Sequence, residues 1–552
     1  MKLLSAEQMR ALESAAAAQG LPYAEMMERA GLAVAQEARE RCPQQHSYAL
    51  VLVGPGNNGG DGLVAAHYLA EWGVAVTVYI WRRTTQPDPN LARVQAQGIP
   101  VVWCDQDLGL QQLADLVDRC DLVIDALLGT GATGALRGGV RELLSTVAAR
   151  LRLGHAALPS RQRLWPPTSP DGCRRPQIIA VDLPSGLDAD SGEIDLCALP
   201  ADVTVTFAHP KLGHMAFPGA EAVGELVVAD IGIPANLAPS SAPEIITADR
   251  VRAGLPPRPI SGHKGTFGSV MVVAGSNNYV GAPCLAARAA YRAGTGLVTL
   301  ATPSSIHSVA ATLLPEATHL LLPHSLGALV SDAVDILGPE LPRYQALLVG
   351  PGLGRDPRTR QFVADLLAGS RDVERHTIGF AARPATPASY TLPPLVLDAD
   401  GLNLLAELPS WPLRLPPDTV LTPHPGEMAR LLGTATADVN ARRIDTAREA
   451  AQAWQCTVVL KGAFTVVAGQ EGKVWVCPLA NAALATAGTG DVLAGIIAGL
   501  RAQGCPGLTA AVCGVYWHAL AGILWSEEHG AAGLLASELS ALLPEARRRL
   551  LG

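Results

Sequence analysis

The sequence contains little charge and lacks the patterns that mark several classes of protein. Only 17% of its 552 residues are charged, the net charge is −8, and no basic run could follow a nucleic-acid backbone. The ten cysteines are scattered, without a Cys-x-x-Cys pair or a His/Cys ligand spacing, which argues against a disulfide framework and a zinc site. We therefore expect no nucleic-acid partner and a reducing compartment.

We also find neither a membrane-spanning nor a targeting signal in the sequence. Residues 1–10 carry no apolar signal region, and we count no apolar run long enough to cross a bilayer. We expect a cytoplasmic protein with no membrane partner. Hydrophobic residues, by contrast, make up 49% of the chain, which is typical of a well-packed soluble protein, and the length predicts two or more domains.

The stretch Gly488-Thr489-Gly490-Asp491 stands directly before a long apolar segment that predicts a helix. Such a helix would point free N–H groups and a partial positive charge at whatever lies in front of it, which suits a phosphate. Asp491 has no basic neighbour in sequence, so a local ion pair does not explain it. This stretch alone leaves two interpretations open: an acid–base carboxylate at a phosphate site, or a carboxylate that only caps the helix.

In the first half, a strand, a glycine-rich turn and a helix follow one another. The apolar run 48–53 predicts a buried strand, Gly54-Pro-Gly-Asn-Asn-Gly-Gly-Asp-Gly62 follows, and a helix is predicted over 63–71. The match to the dinucleotide-binding fingerprint is weak. The next strand, 74–80, ends in Trp81-Arg82-Arg83 and not in the acidic residue that the fingerprint requires.

The glycine-rich turn also contains polar side chains that a plain pyrophosphate turn does not need. Asn57, Asn58 and Asp61 offer oxygen ligands for a hard monovalent cation or for sugar hydroxyls. The alternative is a turn whose residues serve only left-handed backbone angles.

Two further predicted strands are also followed by glycine and polar residues. The segment 121–128 leads into a Gly/Thr loop that starts at Gly129, and 177–182 leads into Leu-Pro-Ser-Gly-Leu-Asp. The carboxyl ends of neighbouring parallel strands form one crevice, so polar residues there meet. A single Asp after a strand is often only a cap, but three such strand ends favour a shared ion site. Its members would be Asn58, Asp125, Asp182 and Ser185.

Four motifs in the first half, in this order, resemble the YjeF-type NAD(P)HX epimerase domain. They are Gly-Pro-Gly-Asn-Asn-Gly-Gly-Asp-Gly, Asp-Ala-Leu-Leu-Gly-Thr-Gly, Asp-Leu-Pro-Ser-Gly-Leu-Asp and His-Pro-Lys-Leu-Gly. The resemblance covers about residues 1–233. It implies an N-terminal Rossmann-like three-layer domain that interconverts the R and S hydrates of NADH and NADPH.

The same resemblance implies the residues of this first site. It places a potassium ion at Asn58, Asp125 and Ser185. It places the substrate against Asn57, Asn58, Gly59, Gly60, Asp61, Gly129, Thr130, Gly131, Ala132, Thr133, Gly134, Ala135 and Asp182. Epimerisation at a hydrated carbon needs a proton donor and a proton acceptor, and our candidates are Asp188 and Lys211.

The second half is similar to another family. Residues 234–259 hold Pro, Ala and Ser without periodicity and predict a linker, so the second domain is expected over 260–552. Gly-Pro-Gly-Leu-Gly, Asp-Ala-Asp-Gly-Leu-Asn, Thr-Pro-His-Pro-Gly-Glu, Leu-Lys-Gly-Ala and Ala-Gly-Thr-Gly-Asp follow in order. They resemble the ADP-dependent (S)-NAD(P)HX dehydratase, over about residues 248–550. This implies a C-terminal ribokinase-like three-layer domain in an α/β protein.

This second resemblance implies a mechanism and its residues. Asp491 would be the base that activates the hydrate hydroxyl for attack on the β-phosphate of ADP, giving AMP and a phosphate ester that then loses phosphate. The backbone of Thr489 and Gly490 would hold the transferring group. Lys461, Gly462, Ala463, Phe464 and Thr465 would face the AMP moiety, and Ala282, Gly352, Gly354 and His424 the hydrate. Mg²⁺ is implied, and ADP is a co-substrate. His424 alternatively serves only as a turn cap.

Two alternatives to a bifunctional repair enzyme remain at this stage. One is a dehydrogenase-like Rossmann domain fused to a ribokinase-like small-molecule kinase, against which the missing acidic residue after strand 74–80 counts. The other is a first domain that only binds nucleotide or protein. We expect a homo-oligomer with small-molecule substrates. Segments 153–176 and 370–393, rich in Arg and Pro, are predicted to be surface insertions.

Overall fold

The computed structural model describes residues 1–42, 47–83, 88–132, 134–153, 175–369 and 390–552. Thr133 and nearly all of the two predicted insertions therefore lie outside the described residues. The chain divides into two compact units, Met1–Ala242 and Pro243–Gly552.

Both halves of the predicted linker 234–259, which includes a candidate strand at Glu244, contain packed residues. Ala242 is buried against Leu4 and Leu12 in the first unit. A strand at Glu244–Ile245 pairs with the sheet of the second unit, and Val251 is buried in the core of that unit. Burial of these apolar residues explains why a stretch without periodicity is nevertheless ordered.

The first unit contains seven strands and six helices among its described residues. They are α1 Ala6–Ala18, α2 Tyr23–Arg41, β1 Tyr48–Val53, α3 Asn57–Glu71, β2 Ala75–Ile80, α4 Pro89–Ala96, β3 Val101–Trp103, α5 Gln111–Arg119, β4 Leu122–Ala126, α6 Gly139–Leu153, β5 Gln177–Val181, β6 Val203–Phe207 and β7 Glu225–Ala229. All strand pairs are parallel, in the order β3-β2-β1-β4-β5-β6-β7. The sequence-based prediction of a Rossmann-like sheet is confirmed.

Strand β1 shows why this unit has three layers. Ala49, Val51 and Val53 face a cluster that contains α2, α3 and α4, whereas Leu50 and Leu52 face a cluster that contains α5 and α6. All five are fully buried. Because side chains alternate along a strand, a continuous apolar run requires helices on both faces of the sheet.

The glycine-rich turn after β1 differs from its prediction, since helix α3 begins at Asn57 and not at Leu63. None of the glycines in this segment adopts a positive φ, so left-handed backbone angles do not explain them. They allow close packing instead. A Cβ on Gly59 would stand 2.2 Å from the carbonyl oxygen of Gly54, and one on Gly62 would stand 2.5 Å from the Cβ of Ala126.

The second unit is larger and is built around a ten-stranded sheet. Its described elements are β8 Glu244–Ile245, α7 Ala248–Gly254, β9 Ser269–Val273, α8 Gly281–Arg292, β10 Leu297–Pro303, α9 His307–Leu313, β11 Thr318–Leu322, β12 His324–Ser325, β13 Ala328–Leu329, α10 Ala333–Leu337, β14 Ala346–Val349, α11 Pro357–Ala368, β15 Leu395–Leu397, α12 Asp400–Leu405, β16 Val420–Leu421, α13 Pro425–Leu432, α14 Thr436–Ala441, α15 Arg443–Trp454, β17 Thr457–Leu460, β18 Val466–Ala468, β19 Val474–Val476, α16 Thr489–Ala502, α17 Gly507–His529 and α18 Ala536–Leu551. The sheet order is β11-β10-β9-β14-β15-β16-β17-β18-β19-β8, and only the β17–β18 and β18–β19 pairs of that sheet are antiparallel.

Helices α16 and α17 pack inside the second unit. Helix α17 is long and apolar enough to span a membrane, which corrects the expectation that no such run exists. Of its most apolar stretch, 72% is buried within the protein, and the indole of Trp517 donates to the carbonyl of Leu543 at 2.8 Å. A buried core helix explains this composition.

Candidate functional site

The first candidate site lies at the carboxyl ends of β1, β4, β5 and β6. Strands β1 and β4 are neighbours, and the strand order reverses between them. Open parallel sheets bind ligands at such a switch point. The segments that follow these four strands carry nearly all of the residues predicted for this site.

The structure brings the three predicted potassium ligands together around Leu128. The Oγ of Ser185 donates to the carboxylate of Asp125 at 2.6 Å, and the Ser185 N–H donates to the same carboxylate at 2.9 Å. The N–H of Leu128 donates to the Ser185 Oγ at 2.9 Å, while the Nδ2 of Asn58 donates to the Leu128 carbonyl at 2.9 Å and to the Val181 carbonyl at 2.6 Å.

Asp125 is fully buried, and burial raises the pKa of its carboxyl although hydrogen bonds from Ser185 and Leu127 oppose the rise. No ion pair joins Asp125 to any basic side chain of the described residues. A buried carboxylate that receives only neutral donors is costly, and a nearby cation would reduce that cost.

Next to this group, Asp182 and Lys211 form a buried ion pair. The Oγ1 of Thr206 donates to the Asp182 carboxylate at 2.9 Å, and the ammonium of Lys211 also donates to that hydroxyl oxygen at 2.9 Å. Burial alone would raise the pKa of Asp182, but the Lys211 charge and these hydrogen bonds hold it below its ordinary value. The carboxylate is therefore ionised, and its backbone has a positive φ of 64°.

His214 completes this arrangement as a neutral residue. Its Nδ1 accepts from the backbone N–H of Lys211 at 3.0 Å, so its Nε2 carries the proton that bonds the carbonyl of Asp182 at 2.9 Å. Burial first, and the Lys211 charge second, lower the pKa of His214 to about 4. His214 was not among the predicted site residues. In the sequence, only its position three residues after Lys211 indicates that it could belong to the site.

The remaining predicted substrate residues form two walls. Asn57, Asn58, Gly59, Gly60 and Asp61 lie in the first turns of α3. In the loop after β4, a Cβ on Gly129 would stand 2.9 Å from the Oδ1 of Asn58, which places this loop against α3. Thr130 and Ala132 are partly exposed, and Gly131, Gly134 and Ala135 are exposed.

Asp188, one of the two proton-transfer candidates, is hydrogen-bonded within its own loop. Its carboxylate accepts hydrogen bonds from the N–H groups of Asp190 and Ser191 and from the Ser191 hydroxyl, at 2.8–3.0 Å. The Ser191 N–H above all lowers the pKa of Asp188. Its part in proton transfer stays a prediction.

The second candidate site lies at the start of α16, where Gly488 precedes the helix with a positive φ of 91° and no side chain caps the helix N-terminus. The Thr489 hydroxyl donates back to the carbonyls of Leu484 and Thr486, both at 2.8 Å. The Nε2 of His518 lies 2.9 Å from the Thr489 carbonyl and supports the same turn. The first N–H groups of α16 are thus held in place without a side-chain cap.

Lys461 is surrounded by carboxylates at this site. Its Nζ lies 2.6 Å from the Oδ1 of Asp398 and 3.8 Å from a carboxylate oxygen of Glu427. A Cβ on Gly490 would stand 3.5 Å from the same Nζ. The charges of Asp398, Glu427 and Asp491 raise the pKa of Lys461 although burial acts to lower it. Lys461 is therefore a permanent cation beside the start of α16.

Asp491 has the pKa of a base that works near neutral pH. Burial, and then the negative charge of Asp398, raise it to about 7, although Lys461 acts in the opposite direction. A carboxylate that only capped a helix would have a lowered pKa. The raised pKa of Asp491 favours the acid–base interpretation over the capping one.

Two further acidic residues belong to this site and were absent from the predicted set. Burial raises the pKa of Glu427 to about 7. Asp398 is 1% exposed, and its Oδ2 is a buried atom without a hydrogen-bond partner. Asp398 lies in the motif Asp-Ala-Asp-Gly-Leu-Asn, and Glu427 lies in Thr-Pro-His-Pro-Gly-Glu. Each motif follows a predicted strand, and this position could have identified both residues from the sequence.

The residues predicted to face the hydrate are placed as follows. A Cβ on Gly352 would stand 3.0 Å from the Cβ of Ala282, so these two residues adjoin. The N–H of Gly354 donates to the carboxylate of Asp400 at 2.9 Å. The Nδ1 of His424 accepts from the N–H of Gly426 at 3.0 Å, so its first role is the cap of α13, as the alternative interpretation proposed.

The predicted nucleotide loop, residues 461–465, is a tight turn after β17. Gly462 and Phe464 have positive φ angles of 141° and 54°, and the Thr465 hydroxyl donates to the Gly462 carbonyl at 2.8 Å. Ala463 lies between them. The loop starts at Lys461, so its beginning adjoins Gly490.

Comparison with known proteins gives a family for each unit. A family model described as NAD(P)H-hydrate dehydratase matches residues 270–545, and one described as YjeF-related protein N-terminus matches residues 23–213.

Curated relatives match over the whole chain. The bifunctional NAD(P)H-hydrate repair enzymes of Moorella thermoacetica and Thermofilum pendens are 38% and 36% identical, each covering 100% of this chain and 97% of its own length. The crystal structure of the ADP/ATP-dependent NAD(P)H-hydrate dehydratase from Bacillus subtilis, co-crystallized with ATP/Mg2+, is 33% identical, with a TM-score of 0.44. It covers 56% of this chain and 98% of its own.

Proposed function

The chain belongs to the bifunctional NAD(P)H-hydrate repair enzymes, which epimerise NAD(P)HX and dehydrate the S form at the expense of ADP, and from this premise we propose how its residues divide the two reactions. The first site performs epimerisation. The second site performs dehydration. The observation that carries the second assignment is Asp491, a carboxyl with a pKa of about 7 at the uncapped start of α16.

In the dehydratase reaction, Asp491 accepts the proton of the hydrate hydroxyl as its oxygen attacks the β-phosphate of ADP. The bond to the AMP oxygen breaks, and AMP leaves. The N–H groups of Thr489 and Gly490 and the ammonium of Lys461 stabilise the charge on the transferring phosphoryl group. The ester that results loses phosphate as its C–O bond breaks, the neighbouring ring carbon loses a proton to solvent, and NAD(P)H is left.

The loop of residues 461–465 faces the AMP moiety in this proposal, and Ala282, Gly352, Gly354 and His424 line the hydrate pocket. Three contacts support this proposal: Lys461 adjoins Gly490, Gly352 adjoins Ala282, and the N–H of Gly354 donates to Asp400. His424 retains its capping role in this proposal, because its Nδ1 accepts from the N–H of Gly426 at 3.0 Å, and its Nε2 lies 3.4 Å from a carboxylate oxygen of Glu427.

Magnesium fits the acidic residues of the second site. The buried Oδ2 of Asp398 has no partner, and Glu427 and Asp491 add carboxylates. Within the described residues, no three His, Cys, Asp or Glu side chains form a metal cage. Mg²⁺ usually takes few protein ligands and completes its shell with water and phosphate oxygens, so this set suffices. When bound, the ion offsets the phosphate charge.

Potassium fits the first site. Asn58 and Ser185 supply oxygen atoms, and the buried carboxylate of Asp125 lacks a basic partner among the described residues. The residues proposed to bind K⁺ are Asn58, Asp125 and Ser185. The ion would join the segments that follow β4 and β5 to α3, while Asp182, held in place by Lys211, contacts the hydrate. In this proposal residues 57–61 and 129–135 enclose the hydrate. Thr133 is included on the basis of the sequence alone.

Asp491→Asn tests the dehydratase assignment. We expect at least a 100-fold loss of ADP-dependent NAD(P)H formation from S-NAD(P)HX, because the amide cannot accept the proton. Epimerisation, measured in the same preparation, should be unchanged and serves as the control for folding. An Asn variant that retains the wild-type dehydratase rate would disprove the role of Asp491.

We also propose a cytoplasmic homo-oligomer. The nine cysteines within the described ranges are all free thiols, which suits a reducing compartment. Light scattering after size-exclusion chromatography should give a multiple of the 57.4 kDa chain mass.

A further inference from the structure

Helix α1, which precedes the part of the chain that the family model matches, is fixed onto the first site. Leu4 forms a parallel bridge with Lys211: its N–H donates to the carbonyl of Pro210 at 3.0 Å, and its carbonyl accepts from Leu212 at 2.9 Å. The N–H of Ala6, the first residue of α1, donates to the carboxylate of Asp190 at 2.7 Å. The start of the helix is therefore attached to the loops that follow β5 and β6.

The rest of α1 extends along the opening of the site. Met9, Leu12 and Ala16 form its buried face. Arg10 donates to the carbonyl of Thr130, in the loop after β4, at 3.4 Å. Glu13 lies one turn after Arg10 and beside this buried face, so its side chain is directed to the same side as the loop.

Glu13 interacts electrostatically with Lys211, Asp182 and Asp61, which places it within range of the core of the first site. Neither Glu13 nor Asp61 forms a hydrogen bond or an ion pair with any other described side chain. The ammonium of Lys211 is already engaged by Asp182 and Thr206. Of the acidic groups at this site, Glu13 and Asp61 are thus the two carboxyls that remain for a ligand.

The two carboxyls also have the protonation behaviour that proton exchange requires. Burial, and then the charge of Asp182, raise the pKa of Glu13. Burial, with the charges of Asp182 and Glu13, raises the pKa of Asp61 well above its ordinary value. A carboxyl whose pKa is raised keeps its proton to a higher pH and can donate it to a ligand there.

We propose that Glu13 and Asp61 are the proton donor and the proton acceptor of the epimerisation, with Glu13 supplied by a helix outside the recognised domain. This proposal rests on the epimerase function of the first site. Lys211 then acts as a positioning residue, since it keeps Asp182 ionised and in place.

The proposed step conserves atoms and charge. One carboxyl donates its proton to the hydroxyl at the hydrated carbon, the C–O bond breaks, and water leaves with the bonding pair. The lone pair of the ring nitrogen forms a C=N bond to that carbon. Water then adds to the opposite face and gives a proton to the other carboxylate. No oxidant, reductant or further reactant is consumed, and exchange with solvent restores the starting protonation state.

The test compares three full-length variants: Glu13→Gln, Glu13→Asp and, as a matched control, Glu7→Gln. Glu7 is an exposed residue in the first turn of the same helix. We measure conversion of R-NAD(P)HX to the S form between pH 5 and 9, after subtraction of the rate without protein. Dehydratase activity on the S form in the same preparation checks that each variant is intact.

We expect Glu13→Gln to lower the epimerase kcat by roughly 100-fold or more with little change in KM, and to remove one limb of its pH profile. Glu13→Asp should restore part of the rate, and Glu7→Gln should match the wild type. A Glu13→Gln variant with the wild-type rate and pH profile would overturn the proposal. Loss of rate without a change in the pH profile, and without rescue by Asp, would indicate a structural role and also overturn it.

These outcomes separate the inference from the function on which it rests. If the wild-type protein itself fails to convert the R form, the epimerase function is at fault. If folding of the first unit is disturbed in Glu13→Gln, seen as a changed thermal transition, Asp61→Asn provides the second variant. Its pH profile should lose the other limb, and an unchanged profile would contradict the assignment.

Discussion

At the scale of single residues, burial decides which carboxylates perform chemistry. Asp491 and Glu427 reach a pKa of about 7 because they are buried near other negative charges, whereas Asp188 is held below its ordinary value by donors in its own loop. All three stand in similar Asp/Gly-rich segments. Sequence alone could place them after strands but could not distinguish an exposed cap from a buried base.

The pKa of Asp491 sets the pH dependence of the dehydratase. The carboxyl must be ionised to accept a proton, so kcat/KM should fall about tenfold per pH unit below roughly pH 6 and level off above roughly pH 8. Steady-state assays on S-NAD(P)HX with ADP and magnesium measure this profile. A rate that is constant from pH 5 to 8 would contradict the raised pKa.

The same group has a predictable effect on stability. Its pKa in the folded protein is raised from 3.8 to about 7, so its stabilising contribution is complete below its ordinary pKa and is lost as the pH rises through about 7. Asp491→Asn removes this loss. At pH 8 the free energy of unfolding of the variant should be about 1–3 kcal/mol higher than that of the wild type. Urea unfolding measures this difference.

Asp125 gives a separate prediction for the first site. Asp125→Asn keeps the size of the side chain but removes the charge that a potassium ion would balance, so epimerisation and its potassium dependence should both be lost. Rates in potassium chloride and in choline chloride measure this, with the dehydratase rate as internal control. A variant that retains potassium-stimulated epimerisation would show that the ion lies elsewhere.

At the scale of secondary-structure elements, strand ends were predictable because an apolar run followed by glycine and polar residues leaves few alternatives. The start of α3 was not predictable from the sequence. Its glycines read as a turn, yet they permit contact of a helix with Gly54 and Ala126, and such contacts are invisible in a linear sequence. The role of α1 was equally hidden, since Glu13 is separated by about 50 to 200 positions from the residues it faces.

The contact between α16 and α8 fixes the position of Asp491. A Cβ on Gly495 would stand 2.1 Å from the carbonyl oxygen of Ala286. Gly495→Ala should therefore displace α16, lower the stability of the second unit by about 1–3 kcal/mol and reduce the dehydratase kcat. Urea unfolding and the S-NAD(P)HX assay measure both effects, and epimerisation should be unaffected. Wild-type stability in the variant would mean that the two helices are not in close contact.

At the scale of the whole molecule, two units with separate cores carry two reactions that share an intermediate. The division at Ala242 was displaced in the sequence-based prediction, because residues 234–259 lack periodicity although Ala242 and Val251 are buried. The α/β class and the order of the motifs were predictable over nearly the whole chain. The acidic environment of Lys461 was not predictable, since Asp398, Glu427 and Asp491 come from three different segments.

The most direct test of the account is the recovery of reduced-nicotinamide absorbance from a mixture of R- and S-NAD(P)HX, with magnesium and potassium, in the presence and absence of ADP. We predict that the full mixture is converted to NAD(P)H when ADP is present and that none is converted when it is absent. Conversion that stops at the S fraction would contradict an active first site. Failure to recover either form with ADP would contradict the assignment of the second site.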